Sequence, residues 1–149
     1  MIRLLVFFYF ALNSVCFSEE IITLRVSSYL SPLSHSVKSI YEPWMDSVVK
    51  ASNSRIKFKV YWGGSLGRNP YKQFDLVKAG VTEIGLVQPS YTPGQFPQMQ
   101  VFELPFLMRS STEASLVAWE LFNRGMLRGF DEVKLLGLWT AEPSNLFTK

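Results

Sequence analysis

The run Gly63-Gly64-Ser65-Leu66-Gly67 fits the G-x-S-x-G pattern, in which a strained strand-to-helix turn lifts a serine hydroxyl toward a bound ester. It follows a β-patterned run and precedes a helical one, as that motif requires. Such a serine needs an imidazole to take its proton, and in that fold the base comes after the serine in the chain. The single histidine, His35, comes before it. A secreted hydrolase using Ser65 therefore stands as an alternative. The other use of the turn is to present backbone N–H groups to an anion.

The remaining polar chemistry is sparse. His35 stands just before a helical pattern, where it can cap the helix, meet a ligand or face water. One histidine with one cysteine does not make a metal site, so no metal and no cofactor are expected. Asp46, Asp75 and Glu120 fall on outer helical faces, whereas Glu103 sits inside Phe102-Glu103-Leu104-Pro105-Phe106 and is expected to be buried and paired. Tyr29, Tyr91, Phe106 and Trp139 lie near strand ends, where rings can wall a pocket. Trp44, Trp62 and Trp119 are assigned to packing.

These residues are carried by 149 residues, 48% hydrophobic, 15% aromatic and 18% charged, the composition of one globular domain. Residues 1–18 open with Arg3, continue as an apolar run and end before Glu19-Glu20, the pattern of a secretory signal peptide. A spanning helix needs about 20 apolar residues, and Asn13-Ser14 interrupts this one. Cys16 lies in the leader behind Val15, which argues against lipidation, so the mature chain carries no thiol. The 15 Lys and Arg against 12 Asp and Glu are scattered, without the stripe that nucleic acid requires.

The elements that position the candidates follow from periodicity and punctuation. Residues 21–28 read as a first strand. Val37, Ile40, Tyr41, Trp44, Met45, Val48 and Val49 make one stripe of a helix over 36–52, kinked where Pro43 removes the bond to Ser39. Residues 56–62 alternate as an edge strand. Asn69 caps a helix with Pro70 in its first turn and Gly80 as terminator. The run 84–87 suits a strand buried on both faces, and 90–108, with Pro93, Pro97 and Pro105, a packed loop. Ser110 and Glu113 form a capping box before a helix closed by Gly125. A last strand is expected over 133–139. This order predicts an α/β fold with a mainly parallel sheet and helices on both faces. In such sheets ligands collect at the carboxyl ends of the strands.

The stretches Gly64-Ser65-Leu66-Gly67, 73–81, Glu83-Ile84-Gly85, Tyr91-Thr92-Pro93-Gly94-Gln95-Phe96-Pro97 and Glu103-Leu104-Pro105-Phe106 resemble the DctP-type solute receptors of TRAP transporters. Pro32-x-x-His35 and Leu136-Gly137-Leu138-Trp139 extend the resemblance over most of the chain. It implies a periplasmic, non-enzymatic receptor with two α/β lobes and a hinge. Such a receptor captures a small-molecule carboxylate, an organic acid, and delivers it to membrane permease subunits for ion-gradient-driven uptake. The family's carboxylate-binding arginine belongs to the second lobe, beyond the segment matching Trp139-Thr140-Ala141-Glu142.

The expected organisation is thus a signal peptide over 1–18, an amino-terminal periplasmic-binding-protein-like lobe over 19–140, and the start of the hinge and of a missing second lobe over 141–149. Ser28, Tyr29, Gly64, Ser65, Gln88 and Tyr91 are the expected ligand-facing rim, offering an anion only backbone N–H groups and neutral side chains. A single-lobe interaction module docking through 91–106 is a further alternative.

Overall fold

The computed structural model describes residues 20–141; the expected leader and most of the 141–149 segment lie outside them. β1 (Ile22–Ser27) is central in a three-stranded parallel sheet of order β2-β1-β3. β2 (Ile56–Tyr61) runs in register with it from Ile22↔Ile56 to Ser27↔Tyr61. β3 (Ile84–Gly85) pairs on the other side, Val26↔Ile84 and Ser27↔Gly85. With helices packed against it, the sheet makes the α/β lobe that the alternation of elements predicts. β2 is an edge strand, as its alternation requires. β3 is short, one-sided in its pairing and half-buried, not enclosed on both faces.

Pro43 acts by shifting register. It has no N–H to give to Ser39, and the turn before it, Val37–Tyr41, widens into a π-turn in which Glu42 donates to the carbonyl of Val37. α1 (Glu42–Ala51) then starts with the proline in its first turn, where a missing N–H costs nothing. Trp44 packs on Phe58 of β2, ring centroids 5.6 Å apart.

Asn69 Oδ1 accepts from the N–H of Tyr71 at 2.9 Å, capping a 3-10 turn that leads into α2 (Gln73–Lys78). α2 closes tightly on β3 because Gly85 has no side chain: a Cβ there would lie 2.6 Å from Val77. Arg25 of β1 bridges to Glu83 at 2.5 Å and donates to the carbonyl of Gly80 at 2.9 Å, tying the α2–β3 turn to the central strand.

The core sits beneath the proline-rich segment. Phe96, 0% exposed, packs edge-on to Phe74 at 5.1 Å and against Phe130 at 4.8 Å, with Met99, Ala118, Leu127 and Leu138 around them. α3 (Ser111–Asn123) covers this cluster through Ala118, with Trp119, Leu121 and Phe122 packed against it; Ser110 Oγ accepts from the N–H of Glu113, the expected cap.

Three expectations are corrected. The run 133–139 forms no strand among the described residues. Val133, Leu135 and Leu138 pack onto the core, and the chain is then held by α3: Thr140 N–H donates to Ser115 Oγ at 3.0 Å and Thr140 Oγ1 to the carbonyl of Ser111 at 3.2 Å. Side-chain burial holds this run in place of a ladder. Glu103 is exposed, because it ends a 3-10 turn (Pro97–Glu103) whose buried residue is Met99. The 90–108 segment is also not one free docking surface: Phe96 and Met99 are core, and its large exposed apolar side chains are Tyr91 at one end and Leu104, Phe106 and Leu107 at the other.

Candidate ligand-binding rim

The segments leaving β1, β2 and β3 emerge side by side, as parallel pairing demands, and the first two are knitted by backbone hydrogen bonds. Ser28 N–H donates to the carbonyl of Tyr61 at 3.1 Å, Gly64 N–H to that of Ser28 at 2.9 Å, and Gly63 N–H to that of Leu30 at 2.8 Å. Ser65 N–H donates to Trp62 and Gly67 N–H to Gly64. The N–H groups of Gly63, Gly64, Ser65 and Gly67 are therefore spent within the turn and on the neighbouring loop. Gly64 is indispensable to this closure: its φ is +73°, and a Cβ would lie 2.7 Å from Arg68 Cα. Arg68 is exposed and its stem begins against Gly64. The rim loop thus carries a cation that the expected set of neutral groups left out.

The six expected residues separate into two roles. Ser28 is 1% exposed, with its N–H and carbonyl engaged and its Oγ accepting from the N–H of Leu30 at 3.0 Å. It and buried Gly64 hold the loops together. Ser65 is exposed. Gln88 is half-buried and donates to Ser90 Oγ at 3.4 Å. Tyr29 is half-buried and Tyr91 is 42% exposed, its ring 5.3 Å from that of Tyr71.

A larger ring cluster continues from these residues. Tyr41, delivered by the π-turn before α1, lies edge-on to Trp62 at 6.1 Å and to Trp139 at 5.5 Å. Burial raises the phenol of Tyr41 well above the ordinary tyrosine range, with the phenol of Tyr29 adding to the shift. Burial likewise raises Tyr29, with Tyr91 contributing. Tyr41 and Tyr29 therefore form a pair of phenols held in the neutral form. The helical stripe places Tyr41 on a packing face, and in the structure its ring lies between those of Trp62 and Trp139. For Trp62 the available signal was its place directly after β2; for Tyr41 the sequence carried none.

No group of three or more His, Cys, Asp or Glu that could hold a metal occurs among the described residues. No described helix is long and apolar enough to cross a membrane.

Residues 26–145 match the model of the bacterial extracellular solute-binding protein family 7, DctP. The chain belongs to this family. DctP proteins and the solved structures below are solute-binding proteins of TRAP transporters, not enzymes. A TRAP solute-binding protein from Rhodoferax ferrireducens, solved with copurified benzoate, is 36% identical, with 74% of this chain and 34% of that chain covered and a TM-score of 0.67. A marine-metagenome TRAP solute-binding protein specific for aromatic acid ligands, solved with 3-hydroxybenzoate, is 29% identical over 80% of this chain and 38% of its own, TM-score 0.76. One from Bordetella bronchiseptica, with bound (R)- and (S)-mandelate, is 27% identical over 79% and 38%, TM-score 0.67. The DctP chain described here spans little more than a third of the length of these relatives.

Proposed function

We propose that this chain supplies the amino-terminal lobe of a periplasmic receptor that captures a small organic acid and delivers it to the membrane permease subunits of a TRAP transporter. The observation that carries the reading is the rim: three parallel strands end together, the segments after them carry Tyr29, Tyr41, Trp62 and Tyr91, and Trp139, from the run tethered to α3, packs against Tyr41 at the same edge of a DctP lobe. Rings supply flat apolar area and few charges, which suits the hydrocarbon part of an acid better than its carboxylate. The acid expected is an aromatic carboxylate, as in the three relatives above, whose ligands are benzoate, 3-hydroxybenzoate and mandelate. The carboxylate would be met by an arginine of a second lobe, where a planar guanidinium can hold both oxygens.

Ligand that binds only the folded state raises the melting temperature with concentration. The full chain encoded by the gene is titrated with benzoate, mandelate, succinate and glucose, and its melting followed. Stabilisation by benzoate or mandelate and not by glucose is the expected result. A protein that none of the carboxylates stabilises would not be such a receptor.

A further inference from the structure

Among the described residues, the hydroxyl of Tyr41 is buried and has no hydrogen-bond partner. A tyrosine normally buries its ring and finds a partner for its O–H, since a stranded polar group forfeits its hydrogen bonds to water. The surroundings explain how this one is stranded. Its neighbours Trp62 and Trp139 meet its ring in T-shaped contacts, and neither supplies a hydrogen bond to the hydroxyl. Tyr29 is near enough for its phenol to raise that of Tyr41, yet it does not bond to it. The backbone that places Tyr41 is itself irregular: it is the last residue of the π-turn, a geometry found as single turns and often at functional sites.

Of the two indoles against Tyr41, Trp139 is the exposed one. It is 41% exposed, and its segment has no strand partner among the described residues; the fixed points on either side are Leu138 in the core and Thr140 on α3. Admitting a ligand to the hydroxyl of Tyr41 would require this indole, in T-shaped contact with Tyr41, to turn aside between its two anchors.

We propose that Tyr41 is a specificity-determining residue whose hydroxyl pairs with a neutral polar substituent, a hydroxyl, on the ring of an aromatic carboxylate lying among Tyr29, Trp62 and Trp139. This rests on the receptor reading above and narrows its ligand. A phenolic O–H both donates and accepts, so it can meet a protonated tyrosine in either sense. A second charge in the same place would be buried among rings without a counter-ion.

The test is isothermal calorimetry on the full chain with benzoate and with 2-, 3- and 4-hydroxybenzoate. One hydroxybenzoate isomer is expected to bind about five- to tenfold more tightly than benzoate, the worth of one net hydrogen bond. In Tyr41→Phe the same ratio is expected to fall to about one. The ratio cancels any general loss of affinity, and the wild-type ratio needs no variant to fold. Equal affinities for benzoate and all three isomers in the wild type, or a preference that survives in Tyr41→Phe, would overturn the role of Tyr41 and leave the receptor standing. Tight binding of succinate with no binding of any benzoate would do the same. If no carboxylate binds at all, the receptor reading fails and this inference with it.

Discussion

The N–H of Gly64 donates to the carbonyl of Ser28 across 2.9 Å, joining the segment after β2 to the segment after β1. A turn that by its composition invites an anion has turned the N–H groups of Gly63, Gly64, Ser65 and Gly67 inward, onto its own carbonyls and the segment after β1. Strand ends in a parallel sheet are otherwise free to splay. This bond and that of Gly63 to Leu30 keep Tyr29 and Trp62 on neighbouring loops of fixed spacing.

Replacing Gly64 by alanine is expected to cost about 2–3 kcal/mol, from a side chain in a left-handed conformation and from displacement of Arg68. Urea unfolding checks this. A loss within the scatter of ordinary surface substitutions, about 0.5 kcal/mol, would show that the turn can rearrange without the glycine.

Phe96 belongs to the segment with least regular structure, yet it is the largest fully buried side chain and touches both Phe74 and Phe130. Phe96→Ala should lower stability by about 3–5 kcal/mol. An exposed ring such as Phe106, 98% accessible, should tolerate alanine with little change. The pair of melting curves distinguishes a core loop from a free one.

Hydrogen bonds from Arg25, first through its side chain and then through its N–H, lower the Glu83 carboxyl from 4.5 to about 2. The unfolded chain then binds a proton that the folded chain does not, in the window between those values. Stability contributed by this pair is present above pH 4.5 and is lost as pH falls toward 2. Both side chains are substantially exposed, so the effect should be small and weakened by salt. Comparing the acid limb of wild type with Glu83→Gln tests it; identical slopes would mean that the pair does not titrate as described.

Ser65 is exposed in a turn whose backbone bonds do not involve its hydroxyl. Ser65→Ala is expected to change stability by less than about 0.5 kcal/mol and to leave any trace of ester cleavage in a preparation unaltered. A nitrophenyl acetate assay on both proteins is the check; activity lost with the hydroxyl would restore the hydrolase reading.

Local signals carried most of the architecture. Asn69, Ser110 and Gly80 are read correctly because a cap or a left-handed terminator acts within a turn of the chain. The order of strands and helices implies the parallel sheet, and the alternation in β2 implies its edge position. The run 133–139 misleads because its apolar alternation records burial against α3 and the core, which a strand and an extended tether share. Glu103 misleads for the converse reason: apolar neighbours in sequence do not bury a residue at the end of a 3-10 turn. At the rim, Tyr29 and Tyr91 follow from strand ends, but Tyr41 does not, since a π-turn five residues long alters which face a helical residue occupies. The engagement of Gly63 and Gly64 by Leu30 and Ser28 is a tertiary event that spacing cannot announce.

The edge contacts of Tyr41 with Trp62 and Trp139 have an optical consequence. Of the four tryptophans, Trp44 lies against Phe58 and Trp119 against Phe122, while the other two flank one tyrosine at the strand ends. Light absorbed by Tyr41 passes efficiently to indoles at such separations. The emission of Trp62 and Trp139 then depends on what lies beside them. The lobe therefore carries an intrinsic fluorescent reporter at its rim, with the helix-bound pair as an internal reference.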